Sequence, residues 1–215
     1  MATYTPLIGD EVYFEPTAHA YTDVDGERVM SITQAIKIAG LIDYSAASPE
    51  ILDHAAWRGR IVHQAAAILD RGEDLSEYVI PEECQPYVDA YRRFVREMKF
   101  KPDPNWIEKP LVVSLFGCRI AMTPDAVGTI AGVATVVERK ATSAFHPSWG
   151  VQTAGQALAL RTLGIQIRDR VAVQLLRTGK YRMHTFSDPN DFQIFGDSYR
   201  VAAWKLKHGL VRLDK

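Results

Sequence analysis

The segment Thr123-Pro124-Asp125-Ala126-Val127-Gly128-Thr129-Ile130-Ala131-Gly132-Val133-Ala134-Thr135-Val136-Val137-Glu138-Arg139-Lys140 reads as two β-strands joined at Ala131-Gly132. With those two residues as the turn, Ile130 faces Val133, and stepping outward in register brings Asp125 opposite Glu138. Opposed residues of an antiparallel pair hold their Cβ atoms roughly 4.5–5.5 Å apart on one face. The two-residue period puts Lys140 on that face too and turns Val137 and Arg139 to the other. Two carboxylates placed this way repel, so they need a cation between them or one must take up a proton. Oxygen ligands with open positions suit Mg²⁺ or Mn²⁺. Lys140 beside them can polarise a water or stabilise charge developing on a phosphate. A surface salt-bridge cluster on a sheet accounts for the same letters.

Working outward from this hairpin, the chain alternates helical and extended patterns. Residues 11–22 alternate, Asp25-Gly26 offers a turn and Arg28-Val29-Met30 returns, which predicts an N-terminal β-hairpin. Ser31 caps a helix running to Gly40. Ser48-Pro49-Glu50 starts a second helix that reaches about Arg71 and stops at Gly72. Its apolar face reads Ile51, Ala55, Gly59, Val62, Ala66 and Leu69, with His63 on or beside it. Gly59 inside this helix costs about 1 kcal/mol relative to Ala, so something needs close approach there. A third helix covers 82–99, with Tyr87, Tyr91, Phe94 and Met98 as its core stripe.

Lys101-Pro102-Asp103-Pro104-Asn105 reads as a break. Strand-like stretches follow at 106–116, 118–123, 125–130 and 133–140, the second and third forming one strand bent at Pro124 or two separate ones. Next come a helix over 148–163 ending at Gly164, a hairpin of 170–177 with 180–186 about Thr178-Gly179, and a last helix capped by Asp188. This order predicts a single α/β domain over 1–215, with a central mixed sheet flanked by helices.

Composition excludes several classes. Two cysteines, Cys84 and Cys118, stand in no metal-ligand spacing, so neither a disulfide framework, a zinc ribbon nor an iron–sulfur cluster is expected. No apolar run approaches the roughly 18 residues of a membrane span, and the N-terminus lacks the pattern of a signal peptide, so no membrane partner and a cytoplasmic location are expected. The net charge is −1, but residues 1–138 hold 21 Asp/Glu against 12 Lys/Arg, and residues 139–215 hold 5 against 13. A basic C-terminal third can supply phosphate contacts while the whole stays near neutral.

Taken with their surroundings, these residues resemble the PD-(D/E)XK nuclease superfamily. Pro124-Asp125 stands as the PD and Glu138-Arg139-Lys140 as the (D/E)XK. Arg58-Gly59-Arg60-Ile61-Val62-His63 resembles the Gly-xxx-His helix of the RecB and lambda-exonuclease branch, and Gln152 matches the glutamine of its Q-x-x-x-Y motif, with Gln156 in place of the tyrosine. His19-Ala20-Tyr21 and Ser31-Ile32-Thr33 are similar to openings of phage and prophage members.

The resemblance implies a restriction-endonuclease-like core and Mg²⁺- or Mn²⁺-dependent hydrolysis of DNA phosphodiesters. It implies Asp125, Glu138, Lys140 and Gln152 as catalytic residues. It implies His63, Asp125, Glu138 and the main-chain carbonyl of Arg139 as metal ligands, with Glu108 as an accessory acid. An exonuclease of phage-type recombination follows by analogy, in a bacterial or phage-infected cell, with DNA, a single-strand annealing protein and further copies of the chain as partners. The rival readings are a structure-specific or nicking endonuclease, a non-catalytic DNA-binding recombination scaffold, and an unrelated metal hydrolase acting on a small phosphorylated substrate. Arg58 and Arg60 read equally as DNA contacts or as solvated helix arginines; His146, His19 and Tyr21 are expected to fill structural roles.

Overall fold

The computed structural model describes residues 3–4, 12–15, 20–45 and 47–213. Its centre is a five-stranded mixed sheet in the order β11-β10-β9-β8-β5. The strands are β5 (Lys101–Ile107), β8 (Ala126–Ile130), β9 (Val133–Ala141), β10 (Asp169–Leu175) and β11 (Tyr181–Phe186). All neighbours are antiparallel except β9 and β10, which run parallel. A parallel pair needs a crossover, and α4 (Ser148–Thr162) supplies it.

The β8–β9 register is the expected one, from Ile130↔Val133 back to Ala126↔Val137. The turn works because Ala131 and Gly132 both take positive φ, 51° and 80°, the combination that matches the twist of a two-residue hairpin. One face of β9 and β10 carries Val137, Val171, Val173 and Leu175. These pack with Val62 and Ala66 of α2 (Pro49–Asp70) and with Tyr87, Tyr91 and Phe94 of α3 (Gln85–Met98). The other face, with Val136, meets α4, which in turn lies against α1 (Ile32–Ala39) and α5 (Asn190–Lys207).

The N-terminal segment is a four-stranded antiparallel sheet: β1 (Thr3–Tyr4), β2 (Val12–Glu15), β3 (Ala20–Asp23) and β4 (Arg28–Val29). The expected hairpin about Asp25-Gly26 is β3–β4, while the stretch read as one run over 11–22 is divided between β2 and β3. Ser31 forms a full capping box with Gln34, and Gly40 ends α1 in the left-handed conformation. Asp188 accepts from the Asn190 N–H just ahead of α5, but the N-cap itself is Pro189, one residue later than expected. Among the described residues no helix is long and apolar enough to cross a membrane.

Three expectations need correcting. The proline-rich Lys101–Asn105 is not a break but the start of β5. A strand at the sheet edge tolerates Pro102 and Pro104 because it pairs on one side only, and its register with β8 shifts between Pro102 and Ile107. The stretch read as one strand over 106–116 is divided, because Glu108 takes φ 46° and ends β5 before β6 (Leu111–Leu115) begins. β7 (Cys118–Met122) pairs with β6 in a sheet of its own, so 118–123 and 125–130 are separate strands, parted at Pro124. In α2, the buried run begins only at Val62, and Ile51 is 63% exposed.

Candidate metal and catalytic site

Asp125 sits on the bend just before β8, between the paired strands and the edge strand β5. Its carboxylate accepts from the main-chain N–H of Arg139 and faces His63 of α2, with His63 Nδ1 3.2 Å from Asp125 Oδ1. The same ring nitrogen lies 3.5 Å from Glu108 Oε1, and the other one, Nε2, lies 3.2 Å from the carbonyl oxygen of Arg139. Glu108 reaches this point because its left-handed backbone turns it inward at the end of β5, where its N–H donates to the Asp125 carbonyl. A non-glycine residue at positive φ is costly, and the surrounding bonds hold it there. His63 Nδ1 or Nε2 and one oxygen each from Glu108 and Asp125 lie within 4.8 Å of one another.

Arg139 organises the acidic side of this group from below. Its side chain is fully buried and donates to Asp70 at 3.2 Å, to Glu108 at 2.8 Å and to the Asp125 carbonyl at 2.6 Å. Asp70 also accepts from the Tyr91 hydroxyl, at 2.7 Å and 2.8 Å to its two oxygens.

On the opposite face of β9, Glu138 is held by three donors. Lys140 Nζ and Gln152 Nε2 reach Oε1 at 2.8 Å and 2.7 Å, and Gln156 Nε2 reaches Oε2 at 2.8 Å. Lys140 also donates to Gln152 Oε1 at 3.0 Å.

The electrostatics follow from these contacts. Burial alone would lower the His63 pKa, but the carboxylates of Asp125 and Glu108 outweigh it and lift it to about 10. Burial would raise Asp125, but His63 and Arg139 hold it well below the usual carboxylate range. Burial pushes Asp70 up to about 6 against the opposing pull of Arg139. Lys140, despite burial, is raised by Glu138 and then Asp125, so it stays an ammonium.

The donor set fits a divalent cation. His63, Arg139 and Lys140 face four carboxylates, Asp70, Glu108, Asp125 and Glu138, which leaves one net negative charge. Replacing the His63 proton by a divalent cation makes the cluster neutral. One imidazole, two carboxylates and a nearby main-chain carbonyl are ligands that Mn²⁺ or Mg²⁺ accepts.

No protein-family model matches the chain, and no curated protein matches it. Among solved structures it is similar to a protein of Eubacterium rectale described as a candidate exonuclease, with a TM-score of 0.51 and 14% identity over 87% of this chain and 84% of that one. The two share a fold. At that identity the likeness speaks for the central mixed sheet with its flanking helices, and each role of a side chain must be argued from this chain's own geometry.

Of the expected site residues, His63 meets Asp125 through Nδ1 and the Arg139 carbonyl through Nε2. Lys140, Glu138 and Gln152 meet at another point, across the same strand. Glu138 is not in the three-residue donor group; Glu108 takes that place. Asp125 and Glu138 are therefore engaged by different partners, because Asp125 lies one residue outside β8, where strand alternation no longer fixes its direction.

Three contributors escaped the sequence reading. Gln156 holds Glu138, and its one signal was its place four residues after Gln152, on the same helix face. Asp70 lies two turns beyond His63 on α2 and was equally visible by spacing. The Arg139 side chain had no local signal, since its partners come from α2, from α3 and from the end of β5. Arg58 donates to the Ala141 carbonyl at 3.3 Å and lies over the Tyr87 ring, so it braces α2 against the sheet, while Arg60 is exposed. His146 accepts from the Ser148 N–H at the start of α4. Tyr21 is buried, with its hydroxyl on Thr123; His19 lies outside the described residues.

Proposed function

We propose that the chain is a divalent-metal-dependent nuclease that hydrolyses DNA phosphodiesters, and that it acts as an exonuclease in phage-type recombination. The observation that carries the reading is the meeting of His63, Glu108 and Asp125 at one point, with Lys140 on the adjoining strand. His63, Asp125 and Glu108 would hold the cation, with the Arg139 carbonyl on the other side of the His63 ring. When bound, the cation supplies Lewis acidity toward a phosphoryl oxygen and toward water.

The chain's own residues do the rest. Arg139 fixes Glu108 and Asp125 from behind, so their oxygens keep their spacing without the cation. Lys140 stays charged and stabilises the negative charge that builds on the phosphate. Glu138, with Gln152 and Gln156, sets where the Lys140 ammonium points. The exposed basic residues of the C-terminal third, among them Arg161, Arg168, Arg177, Lys180 and Arg182, follow the phosphate backbone. The exonuclease assignment rests on the resemblance and on the fold shared with the Eubacterium rectale protein.

Incubation of end-labelled linear duplex and of a closed plasmid circle with Mn²⁺, Mg²⁺ or EDTA tests the reading. Loss of the linear substrate from its ends with either cation, and none in EDTA, is expected. Nicking of the circle at equal rate moves the assignment to an endonuclease. An inert protein under all three conditions overturns the reading.

A further inference from the structure

Gln152 and Gln156 stand one helical turn apart on α4, and each gives its Nε2 to Glu138. The oxygen of Gln152 is taken up by Lys140. The oxygen of Gln156 is not matched in this way. The residue is 3% exposed, and its Oε1 is buried with no hydrogen bond among the described residues. Reversing the amide would set that oxygen against the Glu138 carboxylate, acceptor against acceptor. A buried acceptor is costly to leave unmatched, so Oε1 calls for a donor on the side away from Glu138.

A recess of about 20 Å³ adjoins Gln156, and Tyr21, Thr123, Ser31, Ile32 and Thr33 share its lining. Ser31 caps α1, and Ile32 and Thr33 are the first two residues of that helix. The first N–H groups of a helix have no acceptor inside it. Ser31 takes that of Gln34 by its hydroxyl and that of Ala35 by its carbonyl. Those of Ile32 and Thr33 must find an acceptor outside α1. Tyr21 and Thr123 add two hydroxyls, bonded to each other. The recess thus joins Gln156 to Tyr21 and to Ser31-Ile32-Thr33, which belong to the two N-terminal segments that the metal site does not use.

We infer that one ordered water molecule sits in this recess, accepting from a main-chain N–H at the start of α1 and donating to Gln156 Oε1. A water needs roughly 10–15 Å³ of such space and two to four polar partners, so the recess holds one and nothing larger. A cation of that size is disfavoured by the positive end of α1, and an anion by Oε1. Water alone offers an acceptor to one wall and a donor to the other. Gln156 and the water are then positioning groups: they keep Nε2 on Glu138, and Glu138 holds Lys140. That consequence rests on the nuclease reading; the water itself does not.

Crystal structures of the parent and of Gln156→Met, at a resolution that orders waters, test the site. The parent should show a peak about 2.7–3.2 Å from both Gln156 Oε1 and the N–H of Ile32 or Thr33, and Gln156→Met should lose it. Cleavage with Mn²⁺ tests the consequence. Thr123→Val, which removes a hydroxyl from the lining, should lower kcat roughly tenfold with KM for DNA and Mn²⁺ affinity near the parent values. Thr123→Ser should restore the rate.

A recess without the peak, or Oε1 bonded directly to a protein hydroxyl, overturns the inference, and if the parent still cleaves, the nuclease reading stands without it. A peak that persists unchanged in Gln156→Met overturns the bridge to Gln156. A Thr123→Val protein with the parent kcat overturns the positioning role. A parent that shows the bridging water and cleaves nothing with Mn²⁺ or Mg²⁺ confirms the water and sinks the nuclease reading instead.

Discussion

His63 and Asp125 face each other at 3.2 Å, from the middle of α2 to the bend before β8, and the imidazole is held charged by that carboxylate and by Glu108. The proton on His63 therefore occupies the direction in which a cation held by His63, Glu108 and Asp125 would bind. Cation binding there would displace it. With the folded pKa near 10, affinity for Mn²⁺ should climb roughly tenfold per pH unit between pH 7 and pH 9, with release of about one proton per cation. Calorimetric titrations across that range, in buffers of different ionisation enthalpy, measure both. An affinity that does not change with pH would contradict the pairing.

The same pair has a consequence for the metal-free protein. The folded pKa of His63 lies above its usual value of 6.5, so the stability this group contributes is fully present below about pH 6.5 and is lost as pH rises through 10. The melting temperature in EDTA should fall over that window. Replacement by His63→Gln should flatten the fall.

Gln156 is expected to matter through Glu138 and not through substrate. Its Nε2 supplies the donor to Glu138 Oε2, while its own Oε1 is buried with no hydrogen-bond partner among the described residues. Gln156→Leu should lower kcat by about 10–100-fold and leave KM for DNA near the parent value. Rescue by a conservative Gln156→Asn is not expected, since the shorter side chain falls short of Oε2. A Leu variant with parent kcat would show that Lys140 and Gln152 suffice.

Gly128 tests the fold itself. A Cβ there would overlap the carbonyl of Lys101 and crowd the Phe100 ring and Pro102, at the point where the edge strand β5 crosses β8. Gly128→Ala should therefore cost about 1–3 kcal/mol or more, read as a lower melting temperature, and should loosen Glu108 at the far end of β5.

Much of this was legible locally. Ala131-Gly132 fixed the register of β8 and β9, and capping residues Ser31 and Gly40 marked helix ends, because turns and caps are decided by neighbours in sequence. Glycine at 59 was visible as an anomaly before any contact was known. Long-range contacts were not legible. That Glu108 and not Glu138 completes the donor group depends on a left-handed residue ending an edge strand. The buried chain from Tyr91 through Asp70 to Arg139 joins three elements that no periodicity relates. The β5 prolines misled because their meaning changes with place: a break in a central strand is ordinary at an edge.

Lys140 carries the central claim. Its ammonium has no lone pair, so it cannot ligate a cation, and it lies 2.8 Å from Glu138 on β9, the strand whose Arg139 N–H binds Asp125. Single-turnover cleavage of DNA by Lys140→Ala under saturating Mn²⁺, with Mn²⁺ and DNA binding measured in parallel, is the most direct test. The expected result is a rate lowered by about 10²–10³ with both ligands still bound, whereas Asp125→Ala loses Mn²⁺ itself. A Lys140→Ala protein that cleaves at near the parent rate would contradict the assignment of this site.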